Sequence, residues 1–258
     1  MNHLLLTLLL SFGMMTALWP LSVKLADVSI IDILWAPAFA VLGGACILAT
    51  PFPGDAAFVA VFLVSAWALR LGFHILIRWF TLGHEDYRYA AIRKKWGPNF
   101  PFTSLVIIFW FQALLLWVIS FPLQAALAAP DGLNGLGMAG AGLAAAGIVI
   151  EAVADWQLTV FRADPANQGK VMDRGLWAWS RHPNYFGDFC LWWGFFLMGL
   201  GAGGPWWIVI GPIVMSALLL HFSGAGLMED TITSRRPGYA EYVRRTSLFF
   251  PWPPRRTP

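Results

Sequence analysis

The 258 residues are 58% hydrophobic and 16% aromatic but only 12% charged, about half the roughly 25% charge of a soluble domain. That excludes an ordinary water-soluble domain. The basic pI of 9.1 reflects where a few bases are placed and does not argue for nucleic acid as a partner.

Seven apolar runs approach the roughly 20 residues that cross a bilayer as helix: 4–22, 28–49, 56–80, 103–127, 134–160, 184–201 and 205–227. They predict an all-α, polytopic membrane protein with seven transmembrane helices. In lipid the backbone must satisfy its own hydrogen bonds, and a β-barrel would show short alternating segments instead. The first run, "MNHLLLTLLLSFGMM", lacks a basic n-region and a small-residue cleavage site, so it reads as a membrane helix and not as a signal peptide.

Along the chain, Asp32 lies about one turn into the second run. Arg70, His74 and Arg78 follow i, i+4, i+8 spacing on one stripe of the third. The fifth carries Glu151 and Asp155, with Gln157 and Arg162 beyond. The sixth brings Asn184 and Asp188, four apart, and the seventh ends near His221 and Glu229. Cys46 and Cys190 fall inside apolar runs and read as packing residues. No cluster has metal-ligand spacing, so no metal is expected.

Of the 17 Lys and Arg, 15 lie in three stretches, Arg78 to Lys95, Arg162 to Arg181 and Arg235 to Arg256; the others are Lys24 and Arg70. The connections "TPFPGD", "AAPDGLNG" and "GAGGP" have none. The positive-inside rule then puts the basic stretches and the C-terminus in the cytoplasm and the N-terminus outside. On that topology nearly all the polar residues of the spans sit in the cytoplasmic half. A charge at membrane depth costs a few kcal/mol, so such groups pair or line a wet cavity. Structural pairs such as Asp155 with Arg162, or headgroup anchors such as Arg78, account for single residues. Clustering across five helices points to a polar pocket open to the cytoplasm. With no repeat or linker, residues 1–258 read as one membrane domain, 1–100 shaping a substrate cavity and 101–258 holding a cofactor.

The basic stretches interleave aromatics and acids. "LGHEDYRYAAIRKKWG" sets Arg88, Arg93 and Lys94 beside Tyr87 and Tyr89. "DRGLWAWSRHPNYFGD" sets Arg174, Arg181 and His182 beside Trp177, Trp179 and Tyr185, and "EDTITSRRPGYAEYVRRTSLFFPW" joins Arg235 and Arg236 to Tyr239 and Tyr242. Guanidinium forks pair with phosphates, rings stack on planar bases, and carboxylates or amides bind ribose or carboxamide. Each stretch alone also fits a basic patch on anionic lipid. Together they describe a site for a phosphorylated nucleotide. In "SRHPNYFGDF" Pro183 suits the first position of a helix, whose free amides attract an anion. Arg181 and His182 stand just outside it, and Asn184 and Asp188 share one face of its first turns.

"SRHPNYFGD" resembles the signature of membrane sterol reductases, and "RRPGYAEY" with "FFPW" resembles their closing segment. From "DILW" to "FFPW" the chain is similar to the bacterial branch of the steroid 5-alpha-reductase family, membrane enzymes that use NADPH. By that resemblance Asp155, Arg162, Asn184 and Asp188 match cofactor-binding positions. Arg181, His182 and Tyr185 belong to the same signature, Glu229 is another polar cofactor contact, and Tyr239 and Tyr242 lie in the closing segment. The implied chemistry is 1,4-reduction of an enone in a lipophilic, steroid-like substrate. Hydride goes to the β-carbon, and a neutral acid on the ketone takes up enolate charge. Asp32 is the expected acid, with His74 or a nearby aromatic as partner. Where the steroid enzymes carry a Gln-Glu pair this chain has Ile31-Asp32, and Tyr87 is the candidate for their tyrosine.

Isoprenylcysteine carboxyl methyltransferases share an Arg-His-Pro-x-Tyr stretch and a late Glu and bind S-adenosylmethionine. That ligand has no phosphate and needs fewer arginines. A transporter or assembly factor would explain buried charge but not aromatic-basic loops on one side. The expected setting is a bacterial inner membrane, with the cofactor site facing the cytoplasm. The substrate enters from the bilayer; no nucleic acid or protein partner is implied.

Overall fold

The computed structural model describes residues 2–130, 132–222 and 238–255. Among them the regular structure is helical, with a lone parallel bridge between Ser180 and Ser247. Five helical runs are long and apolar enough to cross a membrane: His3–Leu25, Ile30–Ala49, Asp55–Leu82, Tyr87–Ile119 and Gly135–Ala163. The chain is therefore an integral, polytopic membrane protein, and these helices fall on the first five expected spans. The sixth expected span is a 19-residue helix, Pro183–Gly201, that carries Asn184 and Asp188 at its start. In place of the seventh there is a shorter apolar helix, Trp206–His221, and residues 223–227 lie outside the described set.

The residues pack as two units. The first comprises residues 1–138 and 197–211. Its long helices are α1 (His3–Leu25), α2 (Ile30–Ala49) and α3 (Asp55–Leu82), followed by α4 (Tyr87–Trp96). Asn2 caps α1 by accepting from the Leu4 N–H at 3.0 Å, the usual remedy for an orphan first-turn donor. Lipid offers an indole N–H no partner, so tryptophans become cross-helix ties. Trp19 Nε1 donates to Pro101 O at 2.8 Å and Trp117 Nε1 to Leu4 O at 2.9 Å. Phe39 and Trp67, both fully buried, join α2 to α3 with ring centroids 5.8 Å apart.

The expected fourth span breaks in the structure. It runs as α5 (Phe100–Ser104), a π-helical stretch Leu105–Trp110 and α6 (Phe111–Ile119), then restarts as α7 (Phe121–Leu127). Pro122 lies at the start of α7. Its ring cannot follow the carbonyl four residues earlier, and it has no N–H to give.

The second unit comprises residues 139–196 and 212–258. It contains most of α8 (Gly135–Ala163) and α9 (Pro183–Gly201), with α10 (Ile210–Ala217) from Pro212 onward and α11 (Tyr239–Arg245). Here α8 and α9 touch backbone to backbone. A Cβ on Gly187 would lie 2.6 Å from Glu151 N and Gly147 O, and one on Gly147 would lie 2.4 Å from Gly187 O. Small residues at a helix crossing let backbones approach this closely in membranes. The seam fixes the register: with Gly187 against Glu151, Asn184 sits one turn back, level with Asp155.

Candidate functional site

Two polar clusters stand out, one in each unit. The first is built at the end of α3. Gly83 terminates that helix in the left-handed conformation, φ 66°, and the chain turns into α4 through Glu85 and Asp86. Glu85 Oε1 accepts from Val28 N at 2.8 Å and from Arg93 Nη2 at 2.7 Å, and Arg93 Nη2 also donates to Ala26 O at 3.0 Å. These contacts bolt the loop to the α1–α2 turn. That turn is closed by Asp27, which accepts from the Ser29 N–H and hydroxyl and from Trp79 Nε1. Asp86 caps α4 and orients Arg88, taking its backbone N–H at 3.0 Å and its Nε at 2.9 Å. Burial alone would raise the Asp86 carboxyl. The hydrogen bonds and charge of Arg88, with Arg78 beyond, outweigh it and leave Asp86 below its ordinary value.

The first turn of α4 is thereby laid on α2. Arg88 Nη2 donates to Asp32 Oδ2 at 2.9 Å, and the Tyr89 hydroxyl donates to Asp32 Oδ1 at 2.7 Å. The aromatic partner of Asp32 is thus Tyr89, which is buried, whereas Tyr87 is 65% exposed. His74 is half-buried on α3, and each oxygen of Asp32 accepts from a residue of α4. Arg78 is exposed, with Nη2 3.8 Å from Asp86, and Lys94 is exposed.

The second cluster lies across the α8–α9 seam. Asn184 Nδ2 donates to Asp155 Oδ1 at 3.1 Å. A carboxylate only accepts, so Asn184 must turn its NH₂ toward it. That leaves Asn184 Oδ1 buried without a hydrogen-bond partner among the described residues. Asp188 and Glu151 are buried on the same helix pair. Arg181 and His182 precede α9 as expected. Burial, with the Arg181 charge beside it, pulls His182 down to about 4, so it is a neutral ring at pH 7. It stacks on Tyr185 with centroids 5.4 Å apart and planes 6° from parallel.

The segment before α9 is fixed by contacts that sequence reasoning missed. Trp177 Nε1 donates to Ala154 O at 3.0 Å, and Leu176 N donates to Gln157 Oε1 at 3.0 Å. The Tyr242 hydroxyl donates to Trp177 O at 2.7 Å, and burial pushes its phenol above the usual range. Ser180 Oγ donates to Phe249 O at 2.7 Å, and Arg181 N to Ser247 O at 2.8 Å. Tyr239 is buried against Tyr242. Trp179 is exposed and accepts from Trp252 N at 3.0 Å, while Arg162 is exposed at the end of α8. Glu229 and Arg235 lie outside the described residues. Among the described residues no three His, Cys, Asp or Glu side chains gather as a metal site.

No solved structure matches the chain. It is 26% identical over 280 residues to an uncharacterized protein of Schizosaccharomyces pombe, an alignment covering 97% of this chain and 80% of the relative. The model of the family described as "Protein of unknown function (DUF1295)" matches residues 18–246. The chain belongs to that family, one related to steroid 5-alpha-reductase-like membrane proteins.

Proposed function

We propose that the protein is an NADPH-dependent oxidoreductase of the membrane that reduces the carbon–carbon double bond of an enone in a lipophilic, steroid-like substrate. The observation that carries this reading is the Asp155–Asn184 contact at the head of α9. It joins the two helices whose residues resemble the reductase signature, and it leaves Asn184 Oδ1 buried with no partner among the described residues. Leaving such an acceptor unmet costs about 1–3 kcal/mol, and a ribose hydroxyl or carboxamide N–H would meet it. The flat His182–Tyr185 pair suits a planar ring, and Arg181 suits a phosphate. These residues fit NADPH, with Asp155 and Asp188 orienting it through hydrogen bonds.

NADPH, when bound, supplies the hydride. What the chain contributes at the ketone is a proton donor. Tyr89 fills that role: its O–H, held by Asp32 Oδ1 in the ligand-free protein, turns to the ketone when substrate binds, and Asp32 keeps its pairing with Arg88. Arg88, whose guanidinium carbon lies 5.5 Å from the Tyr89 ring centre, offsets negative charge as the proton leaves. The setting that agrees with the charge pattern is a seven-span protein with the basic segments and cofactor site on the cytoplasmic side of a bacterial inner membrane.

The test is ligand-dependent stability, since a ligand that binds only the folded form raises its melting temperature. Purified protein should be stabilised by NADPH more than by NADH or S-adenosylmethionine. No gain overturns the proposal. A gain with S-adenosylmethionine alone replaces it with a methyltransferase of the isoprenylcysteine carboxyl type.

A further inference from the structure

A cavity of about 500 Å³ lies in the first unit, at the end of α2 opposite Asp32. Its walls include Phe121, Trp207 and Ile208, and its polar groups include His3, Thr50 and Gln124. Asp32 and Ala49, near the two ends of α2, are about 26 Å apart at 1.5 Å per residue, so this space is separate from the Asp32–Tyr89 cluster. Its size falls within the roughly 300–1,000 Å³ of small-molecule sites.

Gln124 is the informative residue. It is 4% exposed and lines the cavity. Its Nε2 donates to Ser120 Oγ at 2.7 Å, while the Ser120 hydroxyl spends its one hydrogen on Trp117 O at 2.8 Å. That chain of donors fixes the amide, so the atom left without a partner among the described residues is the carbonyl Oε1. A buried acceptor of this kind asks for a donor. No Asp, Glu, Lys or Arg is among the described residues that line the cavity, so a charged ligand would be desolvated there without compensation.

We infer that this cavity is a binding site for a neutral lipophilic alcohol from the bilayer, its hydroxyl donating to Gln124 Oε1 and its apolar body resting on Phe121, Trp207 and Ile208. The site does not depend on the reductase reading. It is lined by the helix ends and connections that carry no bases, away from the Arg88 and Arg93 end of the same unit.

A dodecanol carrying a photoreactive diazirine on its chain tests this on the full-length protein in detergent micelles, with labelled peptides mapped by mass spectrometry. Label should concentrate on residues 120–128 and 205–208. Unlabelled dodecanol should displace it there, and dodecane and dodecanoate, which have the same chain length but no neutral donor, should not. Gln124→Leu, close in shape, should weaken labelling at these peptides about tenfold, the loss of one buried hydrogen bond. Labelling of the lipid-facing helices should stay as it was. Label spread evenly along the helices, displacement by dodecane as effective as by dodecanol, or undiminished labelling of a folded Gln124→Leu protein would each overturn the assignment. The competition series on the unmodified protein decides the matter even if that variant does not fold.

Discussion

Tyr89 donates its hydroxyl hydrogen to Asp32 Oδ1 across 2.7 Å, although the two residues are 57 apart in sequence. Arg88, the residue before it, holds the other carboxylate oxygen, so one turn of α4 supplies both partners of this acid. Tyr89→Phe removes a hydrogen bond to a charged acceptor and should cost about 1.5–3 kcal/mol of stability, read as the shift of a denaturation curve. Tyr87→Phe, on the exposed side of the same turn, should stay within about 0.5 kcal/mol. In an enone reduction assay with NADPH, Tyr89→Phe should lower turnover about a hundredfold or more and leave the affinity for NADPH intact.

The seam between α8 and α9 makes a steric prediction. Gly187→Ala drives a methyl group to within 2.6 Å of backbone atoms of Glu151 and Gly147. Backbone cannot swing aside as a side chain can, so a loss of about 3 kcal/mol or more is expected. Gly142, on α8, has open space where a Cβ would go. Gly142→Ala should be neutral or stabilising by up to about 1 kcal/mol. Thermal melts of the two variants, side by side, check the contrast.

His182 sets a pH dependence. Its folded value, about 4, lies below the ordinary value near 6.5, so the unfolded chain binds the extra proton first as pH falls. Stability from the neutral ring is therefore complete above pH 6.5 and is lost as pH drops toward 4, by about 3 kcal/mol in all. Melting curves from pH 7.5 to 4.5 should show this slope, and His182→Gln should flatten it.

Asn184→Ala removes one donor to Asp155 and the buried carbonyl that NADPH is proposed to satisfy. A fluorescence titration should show NADPH affinity reduced about tenfold or more. Asn184→Asp sets one carboxylate against another across the seam, which should weaken both binding and fold.

The helices themselves were legible because lipid leaves the backbone few alternatives: the first five spans follow from run length alone. Breaks inside them were harder to read. Pro122 ends one helix and begins another within a single apolar stretch, and hydropathy does not register it. At the candidate sites the sequence pointed to Asp32, Asp155 and Asn184, since polar residues in apolar helices stand out. It did not separate Tyr87 from Tyr89. Two positions on a helix differ by about 200°, and which of them faces Asp32 depends on where Asp86 starts the helix and on how Glu85 and Arg93 dock the loop. The Gly147–Gly187 approach left no local mark at all, because it belongs to the register between two helices.

The bridge from Ser180 to Ser247 has a bearing on how the protein is made. The Ser180 hydroxyl and the Arg181 N–H find their acceptors on Phe249 and Ser247, the former 69 residues downstream. During synthesis, Ser180 and Arg181 are made before those acceptors exist. The leading end of α9 stays unfinished until residues 247–249 leave the ribosome. Nascent chains stalled before residue 247 should therefore hold the long helices that precede it yet lack a completed Arg181 anchor.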